Sequence, residues 1–284
     1  MGTVHGVAAP PVLCYHRIAG PPELGVTRIG RSVFARQMRA LAEAGWRTLT
    51  LAEFAAAVRR TRHAPLPHAP TPSKVFLLTF DDGYASIADH AYPLLAELSF
   101  TATTFLITDH VGRTNTWDVR YTWRRLAHLD WPAIEAWRAR GFDFASHSAS
   151  HVRLTWLADA PAAAELARSR ETLCARLGEA AGRAVAYPFG ASDARIERLA
   201  AAAGYELGFG GVRGGRGRGR GGNGNTLNVA RVPVYVWDMG SRPLGLRGDR
   251  LGALGILVAD LANRCAVGTS LMLTLRRQTS DIRG

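Results

Sequence analysis

Lysine is nearly missing from this chain: Lys74 is the only lysine among 35 basic residues, so the net charge of +12 is carried by arginine. A basic surface attracts anionic polymers, but arginine used this uniformly also fits a nucleotide bias in the coding sequence, and nucleic-acid binding is not the expectation. Cysteine is scarce. Cys14, Cys174 and Cys265 are far apart, odd in number and never spaced Cys-x-x-Cys, which excludes a disulfide framework and a zinc knuckle and predicts three free thiols. No uninterrupted apolar run of about 18 residues occurs, so no membrane-spanning helix is expected. Residues 1–11 lack a basic stretch followed by an apolar one, which argues against a secretory signal. A cytoplasmic protein is the expectation, or an extracytoplasmic one if the true start lies elsewhere. Nothing specifies an oligomeric state.

What is present is an alternation of strand-like and helical patterns without internal repeats. Strands are expected near 12–16, 75–80, 102–107, 142–145, 185–187, 206–210, 232–236 and 270–275. Helices are expected near 32–44 (Ser32 as N-cap), 53–60, 85–98, 131–140, 160–177, 191–203 and 249–264. Alternation of this kind predicts an α/β fold built on a parallel sheet or barrel, as a single domain over 1–284. Two stretches interrupt it. Residues 63–73 hold four prolines and read as a loop. Residues 211–225 hold eight glycines and four arginines; they resemble arginine-glycine tails of RNA-binding proteins but contain no aromatic residue to stack on bases, and an exposed surface loop is expected.

Chemistry concentrates in Thr79-Phe80-Asp81-Asp82-Gly83-Tyr84 and Ser146-His147-Ser148-Ala149-Ser150-His151. The first follows an apolar run at the end of a strand, where active sites of α/β proteins collect. Adjacent carboxylates repel; a cation between them, or one ligating a metal while the other stays free, resolves this. His147 and His151 stand at i and i+4 and share a face if a helical turn carries them. Two imidazoles and one carboxylate are the three protein ligands of a catalytic zinc site, which leaves the second carboxylate for proton transfer. Taken singly, Asp-Asp-Gly is an ordinary turn and His-x-x-x-His an ordinary helix face; their conjunction after two strands carries the reading.

These two segments resemble the first two motifs of the polysaccharide deacetylase family, the NodB-homology carbohydrate esterases. Val12-Leu13-Cys14-Tyr15-His16-Arg17-Ile18 is similar to the opening strand of that family, Trp117-Asp118 to a common insert, and Ala186-Tyr187-Pro188-Phe189-Gly190 to its third motif. The resemblance spans about residues 11–275. It implies a distorted (β/α) barrel of about seven strands and a metal-dependent hydrolase that removes acetyl groups from an N-acetylated carbohydrate of the N-acetylglucosamine type. It implies Asp81 as general base, Asp82, His147 and His151 as metal ligands, and the Phe189 N–H at the oxyanion. Substrate contacts are implied for Tyr84, Trp117, Tyr187 and Pro188. The metal is a divalent cation: zinc first, with cobalt(II), nickel(II) and manganese(II) as alternatives.

The chain departs from the family pattern twice. Ala186 stands where many members carry an arginine that tunes the base; Arg231 could supply that cation, or could be a strand-end arginine facing solvent. Thr274 stands where the last strand usually ends in the histidine that acts as general acid. A hydroxyl has no usable pKa for that role, and His16 is the candidate substitute. A catalytically degenerate glycan-binding protein is the alternative.

Overall fold

The computed structural model describes residues 9–20, 26–63, 74–116, 125–211, 225–243 and 246. The expected helix at 249–264, the strand at 270–275 with Thr274, Trp117, residues 64–73 of the proline-rich stretch and residues 212–224 of the glycine-arginine run lie outside the described residues.

In chain order the elements are β1 (Val12–Tyr15), β2 (Arg17–Ile18), β3 (Arg28–Ile29), α1 (Arg31–Glu43), β4 (Arg47–Thr48), α2 (Leu51–His63), β5 (Val75–Phe80), α3 (Ser86–His90), α4 (Tyr92–Glu97), β6 (Thr103–Leu106), α5 (Trp131–Arg138), β7 (Asp143–Ser146), α6 (Asp159–Leu177), β8 (Ala184–Ala186), α7 (Ala194–Ala202), β9 (Leu207–Phe209) and β10 (Val232–Pro233). The main sheet runs β10-β1-β5-β6-β7-β8-β9, with β4 paired to β5, and every pairing in it is parallel. The sheet curls into an open barrel. The gap between β9 and β1 is spanned by residues 229–233: Val229 bridges to Phe209, and β10 then pairs with Leu13 and Cys14. Parallel strands need long crossovers, and the helices supply them.

Strand periodicity of two sorts the side chains. Val12, Leu77, Phe105, Ala145, Ala184, Ala186, Leu207 and Phe209 face inward and pack with Leu51, Phe54 and Val58 of α2. Leu13, Tyr15, Phe76, Leu78, Phe80 and Phe144 face outward, under Phe34 and Met38 of α1 and Tyr92 and Leu95 of α4. The same alternation carried past the strand ends turns Asp81 (after Leu77 and Thr79) and His147 (after Ala145) toward the barrel mouth.

Three local expectations are corrected. Ser32 is not an N-cap: α1 starts one residue earlier, with Gly30 in the cap position and no side chain capping it. The single helix expected over 85–98 is two short helices, because Pro93 in the first turn of α4 has no N–H with which to continue α3. The helix expected at 53–60 runs from Leu51 to His63 and is started by a reciprocal cap. The Thr50 N–H donates to Glu53 Oε2 at 2.8 Å while the Glu53 N–H donates to Thr50 Oγ1 at 3.2 Å.

Candidate active site

The turn after β5 is built on conformations that side chains resist. Asp82 and Gly83 both sit in the left-handed region, at φ 68° and 67°. A Cβ on Gly83 would lie 2.7 Å from Leu106 Cδ2 and would have to be held at positive φ, so glycine is strongly favoured there. The buried His128 accounts for part of the hold on Asp82: its Nδ1–H donates to the Asp82 carbonyl at 2.8 Å, and its ring stacks on Tyr84 with centroids 4.9 Å apart.

His147 and His151 are not joined by the helical turn that their spacing suggested. Residues 147–153 are neither helix nor strand, and both Ser148 and His151 have φ 63°. The Ser148 hydroxyl accepts from the His151 N–H at 3.1 Å, and it is this non-helical turn, with His151 in the left-handed region, that brings the second imidazole round to the first. The rings lie 4.8 Å apart. Left-handed conformations of non-glycine residues, clustered as they are here, mark a functional loop.

Asp82, His147 and His151 converge. Both Nε2 atoms lie 3.4 Å from Asp82 Oδ1. The His147 Nδ1–H donates to the Ala186 carbonyl at 2.8 Å; a carbonyl only accepts, so Nδ1 carries a proton and, in the neutral ring, Nε2 presents its lone pair to the cluster. Among the described residues Asp82 Oδ1 is buried and has no hydrogen-bond partner, a costly state for a carboxylate oxygen unless a cation meets it. One oxygen and two imidazole nitrogens within 4.8 Å of one another are a donor set that fits zinc, cobalt, nickel or manganese. Burial is the largest influence on every group here. It would raise the Asp82 pKa, but His147 and His151 lower it on balance. It would lower His147, which Asp81 and Asp82 instead raise. At His151 burial prevails and pushes the pKa to about 3, so this imidazole is neutral.

Asp81 faces the other way. Arg231 donates to both of its oxygens, Nη1 to Oδ1 at 2.6 Å and Nη2 to Oδ2 at 2.8 Å, and is itself buried. Burial would raise the Asp81 pKa; the guanidinium, with His147, outweighs it and holds the carboxyl far below the usual range. Arg231 therefore does not face solvent. It comes from the segment spanning the barrel gap, passes over the Phe105 ring, and puts on Asp81 the cation that Ala186 cannot. His16 follows β1 on the same rim: one of its ring nitrogens lies within 4.8 Å of a carboxylate oxygen of Asp81 and of Cys14 Sγ, and its own Nδ1 is buried without a partner among the described residues.

The third motif is a 3-10 turn, Pro188–Gly190. Phe189 stands at φ 61° with its ring edge-on to His151, centroids 4.8 Å apart. Gly190 is packed so closely on Gly211 that a Cβ would sit 2.7 Å from that backbone. Pro188 is buried, and Tyr187 is fully buried with its hydroxyl donating to the Leu227 carbonyl at 2.9 Å. Tyr84 is buried too, its hydroxyl accepting from Asn115 at 3.1 Å. The structure thus gathers Asp81, Asp82, His147, His151, Phe189, His16 and Arg231 at one end of the barrel, and sets Tyr84 and Tyr187 into the packing beneath. His128 was missed by sequence reasoning because it stands alone, outside any motif. Among the described residues no helix is long and apolar enough to cross a membrane.

Comparison with known proteins gives a consistent picture. The polysaccharide deacetylase family model matches residues 68–208. YxkH of Bacillus subtilis (strain 168), whose name assigns it provisionally to the polysaccharide deacetylases, is 27% identical over 199 residues, which are 70% of this chain and 63% of YxkH. The chain thus spans less than two thirds of that relative's length. The structure of the Streptococcus pyogenes deacetylase PplD in complex with acetate superposes with a TM-score of 0.66 at 22% identity, over 81% of this chain and 93% of PplD. IcaB from Ammonifex degensii superposes with a TM-score of 0.63 at 26% identity, over 80% of this chain and 91% of IcaB.

Proposed function

Because the chain belongs to the polysaccharide deacetylase family and has its barrel fold, we propose that it is a hydrolase that removes acetyl groups from an N-acetylated carbohydrate of the N-acetylglucosamine type. The observation that carries this reading is the pairing of two carboxylates with opposite surroundings: Asp82 beside two imidazole nitrogens, Asp81 beside a guanidinium. Asp82, His147 and His151 would hold a divalent cation. Bound there, it supplies Lewis acidity at the acetyl carbonyl and draws the pKa of water toward roughly 7. Arg231 keeps Asp81 ionised, and an ionised carboxylate at the rim accepts the proton of the attacking water. The Phe189 N–H would donate to the oxygen on which charge develops, and His16 stands within reach of the same rim to protonate the departing amine. Tyr84, Tyr187 and Pro188 would shape the substrate site through the backbone they support. The test is acetate release from N-acetylglucosamine oligomers alongside metal analysis. Asp82→Ala, His147→Ala and His151→Ala should each lose most of the metal, whereas Asp81→Asn should keep the metal and lose turnover. Metal retained by all three alanine variants would rule the site out.

A second reading, a glycan-binding protein without turnover, is favoured by Thr274 in the place of a general acid. An amide needs a protonated leaving group more than an ester does. If Thr274 is the missing acid position, Thr274→His should raise N-acetyl hydrolysis about tenfold, roughly 1.4 kcal/mol of barrier, and raise O-acetyl hydrolysis less. Robust wild-type release that falls on His16→Ala makes His16 the acid and defeats the binding reading. Absence of release from any acetylated sugar, with metal bound and in both wild type and Thr274→His, defeats the hydrolase.

A further inference from the structure

The turn between His147 and His151 has no regular structure of its own, and two of its residues hold positive φ. Ser148 Oγ secures it from within. A second hold comes from outside the motif, from α6. The Ser150 N–H donates to Glu165 Oε2 at 2.9 Å, and the Ser150 hydroxyl to Glu165 Oε1 at 3.0 Å. Arg168, one helical turn on, donates through Nη2 to Glu165 Oε1 and to Asp109 Oδ2, both at 2.9 Å. The Asp109 N–H in turn donates to the Ala149 carbonyl at 2.9 Å. The path Ala149, Asp109, Arg168, Glu165, Ser150 therefore leaves the turn at the carbonyl of the 149–150 peptide and returns to the N–H of that same peptide. Glu165 is only 9% exposed. A carboxylate at that depth is met from two sides, by Ser150 in the turn and by Arg168 on its own helix.

We infer that Glu165 is a positioning residue for the metal-binding pair: it clamps the residue next to His151 and so holds that imidazole, at its disfavoured φ, where it meets Asp82 and His147. The inference rests on the proposed metal site. Glu165 touches neither metal nor substrate. Without its carboxylate the Ser150 N–H loses its acceptor, the turn relaxes toward negative φ, and the His151 ring leaves the cluster.

The test is made on the full chain, stripped of metal with a chelator. Zinc(II) is titrated by calorimetry and cobalt(II) by visible absorption, for wild type, Glu165→Ala, Glu165→Gln and Ser150→Ala, with urea unfolding of the metal-free forms in parallel. Glu165→Ala should weaken zinc binding by about 10- to 100-fold, the range seen when outer partners of metal ligands are removed, and change the cobalt spectrum. Glu165→Gln keeps an acceptor for the Ser150 N–H and should recover part of the affinity. Ser150→Ala loses only the hydroxyl contact and should lose less than Glu165→Ala. Wild-type affinity and spectrum in Glu165→Ala, whatever its urea midpoint, overturn the inference, because a purely structural role moves only the midpoint. If Glu165→Ala does not fold, wild-type affinity in both other variants overturns it equally. A wild type that binds neither ion overturns this inference together with the metal site; a wild type that binds, with variants to match, overturns this inference alone.

Discussion

Asp81 carries its charge where burial opposes it, and a single bidentate partner decides the outcome. Arg231 neutralises the carboxylate without proton transfer, since a guanidinium does not give up its proton in a protein. Breaking a buried pair from one side leaves a bare charge and costs about 3–5 kcal/mol. Arg231→Met should therefore lower stability by about that much in urea unfolding, and Asp81→Asn with Arg231→Met should cost clearly less than the two single losses added. Additive losses would mean that the contact carries no coupling. Arg231 could be named in advance as a cationic residue near a strand, but its target could not: 150 residues separate it from Asp81, and only the closing of the barrel brings them together.

At the scale of elements, helix starts add to the stability that the core supplies. The Thr50–Glu53 cap at the head of α2 is readable as Thr-x-x-Glu, and its bonds satisfy N–H groups that the helix itself cannot. Thr50→Ala should cost about 1 kcal/mol in urea unfolding. The Glu53 carboxylate accepts from the Thr50 N–H and, despite a small burial penalty, its pKa is lowered, with help from Arg47. A group whose folded pKa is depressed stabilises the fold above its unfolded pKa, about 4.3 for glutamate, and that contribution is lost as the pH falls through the lower folded value. The difference in urea midpoint between wild type and Glu53→Gln should therefore be full at pH 6–7 and shrink on acidification below about 4.3. A gap that widens instead contradicts the assignment. The strand ends were also legible at this scale, since period-two alternation continued past Phe80 and Ala145 predicts which way Asp81 and His147 turn. The path from His147 to His151 was not: a spacing of four fits a helix, while the turn observed relies on Ser148, and on Glu165 in another element, to hold a conformation that local propensity opposes.

Across the whole molecule, the proposed ligands come from the turns after β5 and β7, strands that do not pair with each other but both pair with β6. A cation bound there ties the sheet across a strand. Anything that binds only the folded state stabilises it, by about 2.7 kcal/mol at a free concentration 100 times the dissociation constant. Chelation should thus lower the thermal midpoint by roughly 5–10 °C and re-addition of zinc(II) should restore it. Asp82→Ala should show neither response. A wild-type midpoint indifferent to both treatments contradicts a structural contribution from the site.

The sequence by itself determined the elements and the chemistry on offer. Its apolar periodicities placed the longer strands and helices of the described chain, though not the two-residue strands β2, β3 and β4, because which face a residue buries is a repeating property that a short strand does not have room to show. Its two motifs put carboxylates and imidazoles at strand ends, where a parallel sheet exposes them. Only the tertiary structure decided which partner each of these groups meets. Alternation along β5 tells which way Asp81 turns, but not what either carboxylate meets; one meets a guanidinium delivered from residues 229–233 and the other meets two imidazoles delivered from the turn after β7. Their charges, protonation and partners follow from distances between residues far apart in the chain, and such distances exist only once the sheet has curled.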